Sequence, residues 1–113
     1  MTRTERYCAH ALRGEDSLMF IRDSGGEFKM TLCGTANHNQ NYLAIFALEK
    51  GGRNYLMPVT YSLSSPSEEV DIDTGIQIYV KKDAERNARI RVICHLAPDV
   101  FVRRVSSPPN RNP

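Results

Sequence analysis

Between Ser17 and Val105 apolar residues recur in strand-length clusters separated by turn formers, the rhythm expected of a β sandwich or barrel. "SLMFIR" and "FKMTLC" flank "DSGGE", while "YLAIFAL" and "YLMPVTY" flank "EKGGRN". In each case a glycine pair, Gly25-Gly26 or Gly51-Gly52, is free to take the positive φ of a tight hairpin. "IQIYVK" and "ARIRVIC" read as a third hairpin turning near Glu85, with Ile76, Ile78 and Val80 on one face answering Ile90, Val92 and Cys94. "VFVRRV" follows the turn "LAPD" as a last strand. Pro58 cannot donate to a ladder, which predicts a sheet edge or a bulge for its strand. "SLSSPSEEVDIDTG" predicts the longest loop, and the amide-rich "GTANHNQN", positions 34 to 41, an exposed connection suited to recognition.

The N-terminal stretch has a different period. Thr2 with Glu5 fits a capping box, Tyr7, Cys8, Ala11 and Leu12 share a face at helical spacing, and Gly14 is placed to end the turn. A short helix over Arg3 to Arg13 is expected, with a frayed arm as the competing reading because short isolated helices are marginal. The fold class is therefore mainly β with a short N-terminal helix, α+β being the alternative. A small antiparallel sandwich or barrel built from hairpins is the expected architecture. Residues 1–106 form one β-rich domain, and 107–113, "SPPNRNP" with no apolar residue besides proline, a disordered tail.

Composition narrows the class without changing the fold. A chain of 113 residues can bury one core. No apolar run approaches the length needed to span a bilayer, and the polar N-terminus carries no apolar signal core, so a cytoplasmic location is expected. Cys8, Cys33 and Cys94 lie far apart, and an odd count without a signal predicts reduced thiols. Charge is divided unequally. Residues 1–75 hold seven Lys or Arg against ten Asp or Glu, while 76–113 hold eight against three. That polarity either creates a cationic patch for an anionic partner or is neutralised within the fold.

The cationic hairpin "YVKKDAERNARIRVICH" is the leading candidate surface. Strand alternation places Tyr79, Lys81, Arg89 and Arg91 opposite the apolar face, with Lys82 and Arg86 nearby; such a face either binds phosphates or is simply the wet side of a sheet. Asn37, His38 and Asn39 of the amide-rich segment are a second candidate surface. Further along, "IRVICHLAPDVFVRR" resembles the end of the carbon storage regulator family of small RNA-binding proteins, through Ala97, Pro98, Val100, Val102, Arg103 and Arg104. The resemblance covers fifteen residues and implies an RNA-contacting basic pair, Arg103 and Arg104, with Arg104 as the contact.

Other chemistries fit less well. Each cysteine has a histidine near it, but neighbours such as Cys94 and His95 point to opposite faces of a strand and cannot share an ion, so no metal or cofactor is expected. No nucleophile elbow, cysteine-protease signature or phosphate-binding glycine loop occurs, and catalysis is not expected. The acidic run Glu68, Glu69, Asp71 and Asp73 lacks the spacing of a calcium loop and reads as solvated or partner-facing. The expectation is a non-catalytic binding module that docks on a larger macromolecule as an inhibitor or adaptor. A protein partner comes first and RNA second, with dimerisation by sheet pairing open and no membrane contact.

Overall fold

The computed structural model describes residues 6–83 and 89–106. Nine strands are found among them: β1 Arg6–Leu12, β2 Ser17–Arg22, β3 Glu27–His38, β4 Asn41–Lys50, β5 Arg53–Ser62, β6 Val70–Asp73, β7 Ile76–Lys82, β8 Ile90–Leu96 and β9 Val100–Val105. They form two antiparallel sheets, one ordered β1-β8-β7-β6 and the other β5-β4-β3-β2-β9. Alternation decides what lies between them. Leu18 and Phe20, Phe28, Met30 and Leu32, and Ala44, Phe46 and Leu48 turn inward from one sheet, and Ile76, Ile78, Val80, Ile90, Val92 and Leu96 from the other. The arrangement is a sandwich with one core. Among the described residues no helix is long and apolar enough to cross a membrane.

The glycine-pair hairpins form where the sequence places them, with Gly25, Gly51 and Gly52 all at positive φ. Pro58 lies on β5, an edge strand. The expected turn around Glu85, Arg86 itself and the tail 107–113 lie outside the described residues.

Three expectations are corrected. The N-terminal helix is not present within the described residues: Arg6–Leu12 is a strand, paired along its length with β8. Cys8 and Leu12 serve a period of two as readily as a helical one, and the open edge of β8 gives alternate residues a ladder partner along the whole segment, whereas a short isolated helix is marginal. The stretch expected as the longest loop contains β6, where Val70 and Ile72 alternate with Asp71 and Asp73 and Ile72 is buried. The "GTANHNQN" segment is mostly strand: β3 runs on to His38 and β4 starts at Asn41, leaving a two-residue turn in which Asn39 takes φ 59°.

A charged clamp joins the sheets at one end. Asp73, at the end of β6, accepts from Arg22 of β2 at 2.8 Å and from Lys50 of β4 at 3.0 Å. Arg22 also donates to the Thr74 carbonyl and approaches Asp99 at 3.6 Å. This acidic residue thus spends its charge inside the chain on cations of the N-terminal half. Burial pushes the Asp73 carboxyl up, but the Arg22 and Lys50 hydrogen bonds outweigh it, and the net result lies below its ordinary value of 3.8. A depressed carboxyl stabilises the fold fully above its unfolded pKa and loses that contribution as pH falls through the folded one. Asp73→Asn is expected to cost about 2 kcal/mol at neutral pH. The gap to wild type should shrink on acidification below about pH 4, which urea unfolding at pH 7 and pH 3 would show.

Candidate functional site

Opposite the clamp, the sandwich opens into a mouth. The sequence builds it with a β-bulge. Pairing of β3 with β4 runs Leu32 to Phe46 and resumes Gly34 to Ile45, leaving Cys33 as the extra residue. Up to the bulge the even-numbered residues of β3 face the core; beyond it the phase reverses, so that Thr35 lies opposite buried Ala44 and Asn37 opposite Tyr42. Two polar side chains thereby replace the apolar ones that Met30 and Leu32 would have led the eye to expect. On the neighbouring strands Tyr42 pairs directly with Tyr61, their rings stacked at 5.3 Å and 17°.

The facing sheet contributes cations. Lys82 pairs with Ile90 at the last step of β7, which turns it to the inner side, and its ammonium stands 4.8 Å from the centre of the Tyr42 ring. Arg89 immediately precedes β8. Its carbonyl accepts from the Asp83 N–H at 3.4 Å, and its side chain lines the same opening. Thr35, Asn37, Tyr42, Tyr61, Lys82 and Arg89 surround a cavity of about 520 Å³. Burial, and then the neighbouring Tyr42, push the Tyr61 hydroxyl above its ordinary value, so it stays protonated and able to donate.

The electrostatics of the mouth are unbalanced. Among the described residues no carboxylate lies within ion-pair distance of Lys82 or Arg89. Asp83, next to Lys82 in sequence, is buried and approached by Arg91 at 3.6 Å. The described lining of the mouth holds no carboxylate, imidazole or thiol. It offers positive charge, amide and hydroxyl groups, which suit the holding of an anion.

The structure divides the residues singled out by sequence. Lys82, Arg89 and Asn37 come together at the mouth, with His38 and Asn39 exposed at the adjoining hairpin tip. Tyr79, Lys81 and Arg91 share the outer face of the four-stranded sheet, where Lys81 lies opposite Arg91. Arg89 does not join them, because the strand begins only at Ile90. Arg103 is exposed on the outer face of β9 opposite Met19, while Arg104 lies opposite Leu18 and donates to buried Asp16 at 2.9 Å. The arginine that the family resemblance makes an RNA contact is therefore engaged within the fold.

Tyr42 and Tyr61 were not among the residues singled out from sequence, and Thr35 was covered only as part of the 34–41 segment. The tyrosines had a signal, since they lie equally far from the Gly51-Gly52 turn and must meet across the hairpin. Gly34, isolated in a strand pattern, was the available sign of the bulge. Against known proteins, the chain matches no family model, no curated protein and no solved structure.

Proposed function

We propose that the protein is a non-catalytic binding module, an inhibitor or adaptor, that docks on a larger protein by gripping an acidic segment at the mouth of the sandwich. One observation carries this reading: Lys82 at the end of β7 and Arg89 just before β8, set over a concave polar lining, have no carboxylate partner among the described residues. Two cations on one lining with no counter-charge among the described residues are poised for an external one. Carboxylates of a partner would accept from both, with Asn37, Thr35 and the Tyr61 hydroxyl available for the remaining lone pairs. Free thiols at Cys8, Cys33 and Cys94 fit a reducing, cytoplasmic setting.

RNA is the second reading, and the aromatic rings weigh against it. Single-stranded nucleic acid binders stack bases on open ring faces. Here one face of Tyr42 is taken by Tyr61 and Lys82 stands over the ring as well, so little of it is left for a base. The two readings separate by fluorescence anisotropy with a labelled oligo-glutamate peptide and a labelled oligo-uridine RNA at physiological salt. Saturable binding of the peptide with negligible RNA binding is expected. Tighter RNA binding, with a salt slope of roughly 0.7 per phosphate contact, would transfer the site to the second reading.

A further inference from the structure

On the far edge of the four-stranded sheet, the register of β1 on β8 sets Cys8 directly opposite Cys94. Residues directly opposite in an antiparallel pair hold their Cα atoms about 4.5 to 5.5 Å apart, within the span a disulfide bridges. Both side chains face the interior, since Cys94 is fully buried in line with Val92 and Leu96. β1 is an edge strand, which leaves Cys8 only half-buried. A cavity of about 240 Å³ opens onto it between β1 and β9, lined by Arg6, Cys8, His10, Leu96, Phe101 and Val102. Arg6 closes one side of it by donating to the Val100 carbonyl and lying over the Phe101 ring at 4.9 Å.

We propose that Cys8 is a modification site for small disulfides of the oxidised-glutathione class, with Cys94 as its resolving thiol. The electrostatic setting favours the attacking form. The hydrogen bond with Cys94 does most to draw the Cys8 thiol down to about 6; burial opposes it, and His10 and Arg6 draw it further down. Cys94 is pushed the other way by the same hydrogen bond and by its burial, so the two thiols divide into nucleophile and reserve.

In the first step the Cys8 thiolate attacks one sulfur of the small disulfide. The disulfide bond breaks, one half leaves as a thiolate and takes a proton from solvent, and Cys8 is left as a mixed disulfide. In the second, the Cys94 sulfur attacks the Cys8 sulfur, its proton passing to the departing second half. The sum is one small disulfide reduced to two thiols and two protein thiols oxidised to one Cys8–Cys94 bond. Excess small thiol reverses it. Cys33, exposed at the bulge of the other sheet, has no thiol opposite it, so an adduct there cannot resolve within the chain.

The test uses the Cys33→Ser protein in buffers of graded reduced and oxidised glutathione, read by intact mass and by thiol titration after denaturation. Oxidation is expected to take two thiols to none with a mass loss of two hydrogens, and a peptide map should join Cys8 to Cys94. Adding Cys94→Ser, or Cys94→Ala if serine is not accommodated, should arrest the reaction at one glutathione on Cys8. Two thiols persisting through the oxidised buffers would overturn the proposal. So would a stable glutathione adduct in the protein that retains Cys94.

Discussion

Phe46→Ala is expected to destabilise the protein by about 3 to 5 kcal/mol, the range for truncating a fully buried aromatic. Phe46 is 0% exposed at the centre of β4, opposite Leu32 on one side and Met57 on the other. Removing its ring leaves a cavity that the closely packed neighbours can only partly fill. Domains of this size have total stabilities of about 5 to 15 kcal/mol, so the loss is a large share of the whole. The comparison that gives the result meaning is Ile45→Ala. Ile45 is only partly buried, on the outer face, and its truncation should cost about 1 kcal/mol. Because strand faces alternate, a one-residue slip of β4 would exchange these two costs. Urea unfolding of both variants therefore tests the register as well as the core.

Lys82→Gln with Arg89→Gln is expected to weaken binding of an oligo-glutamate peptide by about a hundredfold. A hydrogen bond to a charged group contributes about 1.5 to 3 kcal/mol. Losing two at the lower end gives about 3 kcal/mol, and each 1.4 kcal/mol is about tenfold. The matched control is Lys81→Gln with Arg103→Gln, which removes the same charge from the outer faces of the two sheets. At physiological salt the screening length is about 8 Å, so the control should stay within about threefold of wild type. Equal losses in the two variants would mean that net charge, rather than the mouth, does the binding. Stability should change little, since the Lys82 contact with Tyr42 is worth at most about 1 kcal/mol at a half-exposed site.

The fold was legible wherever local chemistry and tertiary demand agreed. Glycine pairs set two hairpins, Pro58 marked an edge, and the alternation through Ile76 to Val80 and Ile90 to Cys94 fixed the faces of the third. Where they disagreed, the tertiary demand prevailed. Arg6–Leu12 has no decisive period of its own, and only the unfilled edge of β8 makes it a strand. β6 was hidden because it is short, alternates apolar with acidic residues, and shifts register between Asp71 and Asp73. The site was half legible for the same reason. Lys82 and Arg89 were visible as charges, but strand parity assigned them by position: Arg89 falls just short of the strand, and Lys82 sits on the face read as apolar. Asn37 reaches the mouth only because the bulge at Cys33 reverses the phase of β3, and a pattern of single residues does not display a phase reversal.

The most direct test of the docking site is a backbone-amide NMR titration of the whole chain with the oligo-glutamate peptide at physiological salt. Saturable shifts are expected at Thr35, Asn37, Tyr42, Tyr61, Lys82 and Arg89, from four strands and a loop that meet at the mouth. Shifts centred instead on Tyr79, Lys81 and Arg91 of the outer face, or none up to millimolar peptide, would contradict that expectation.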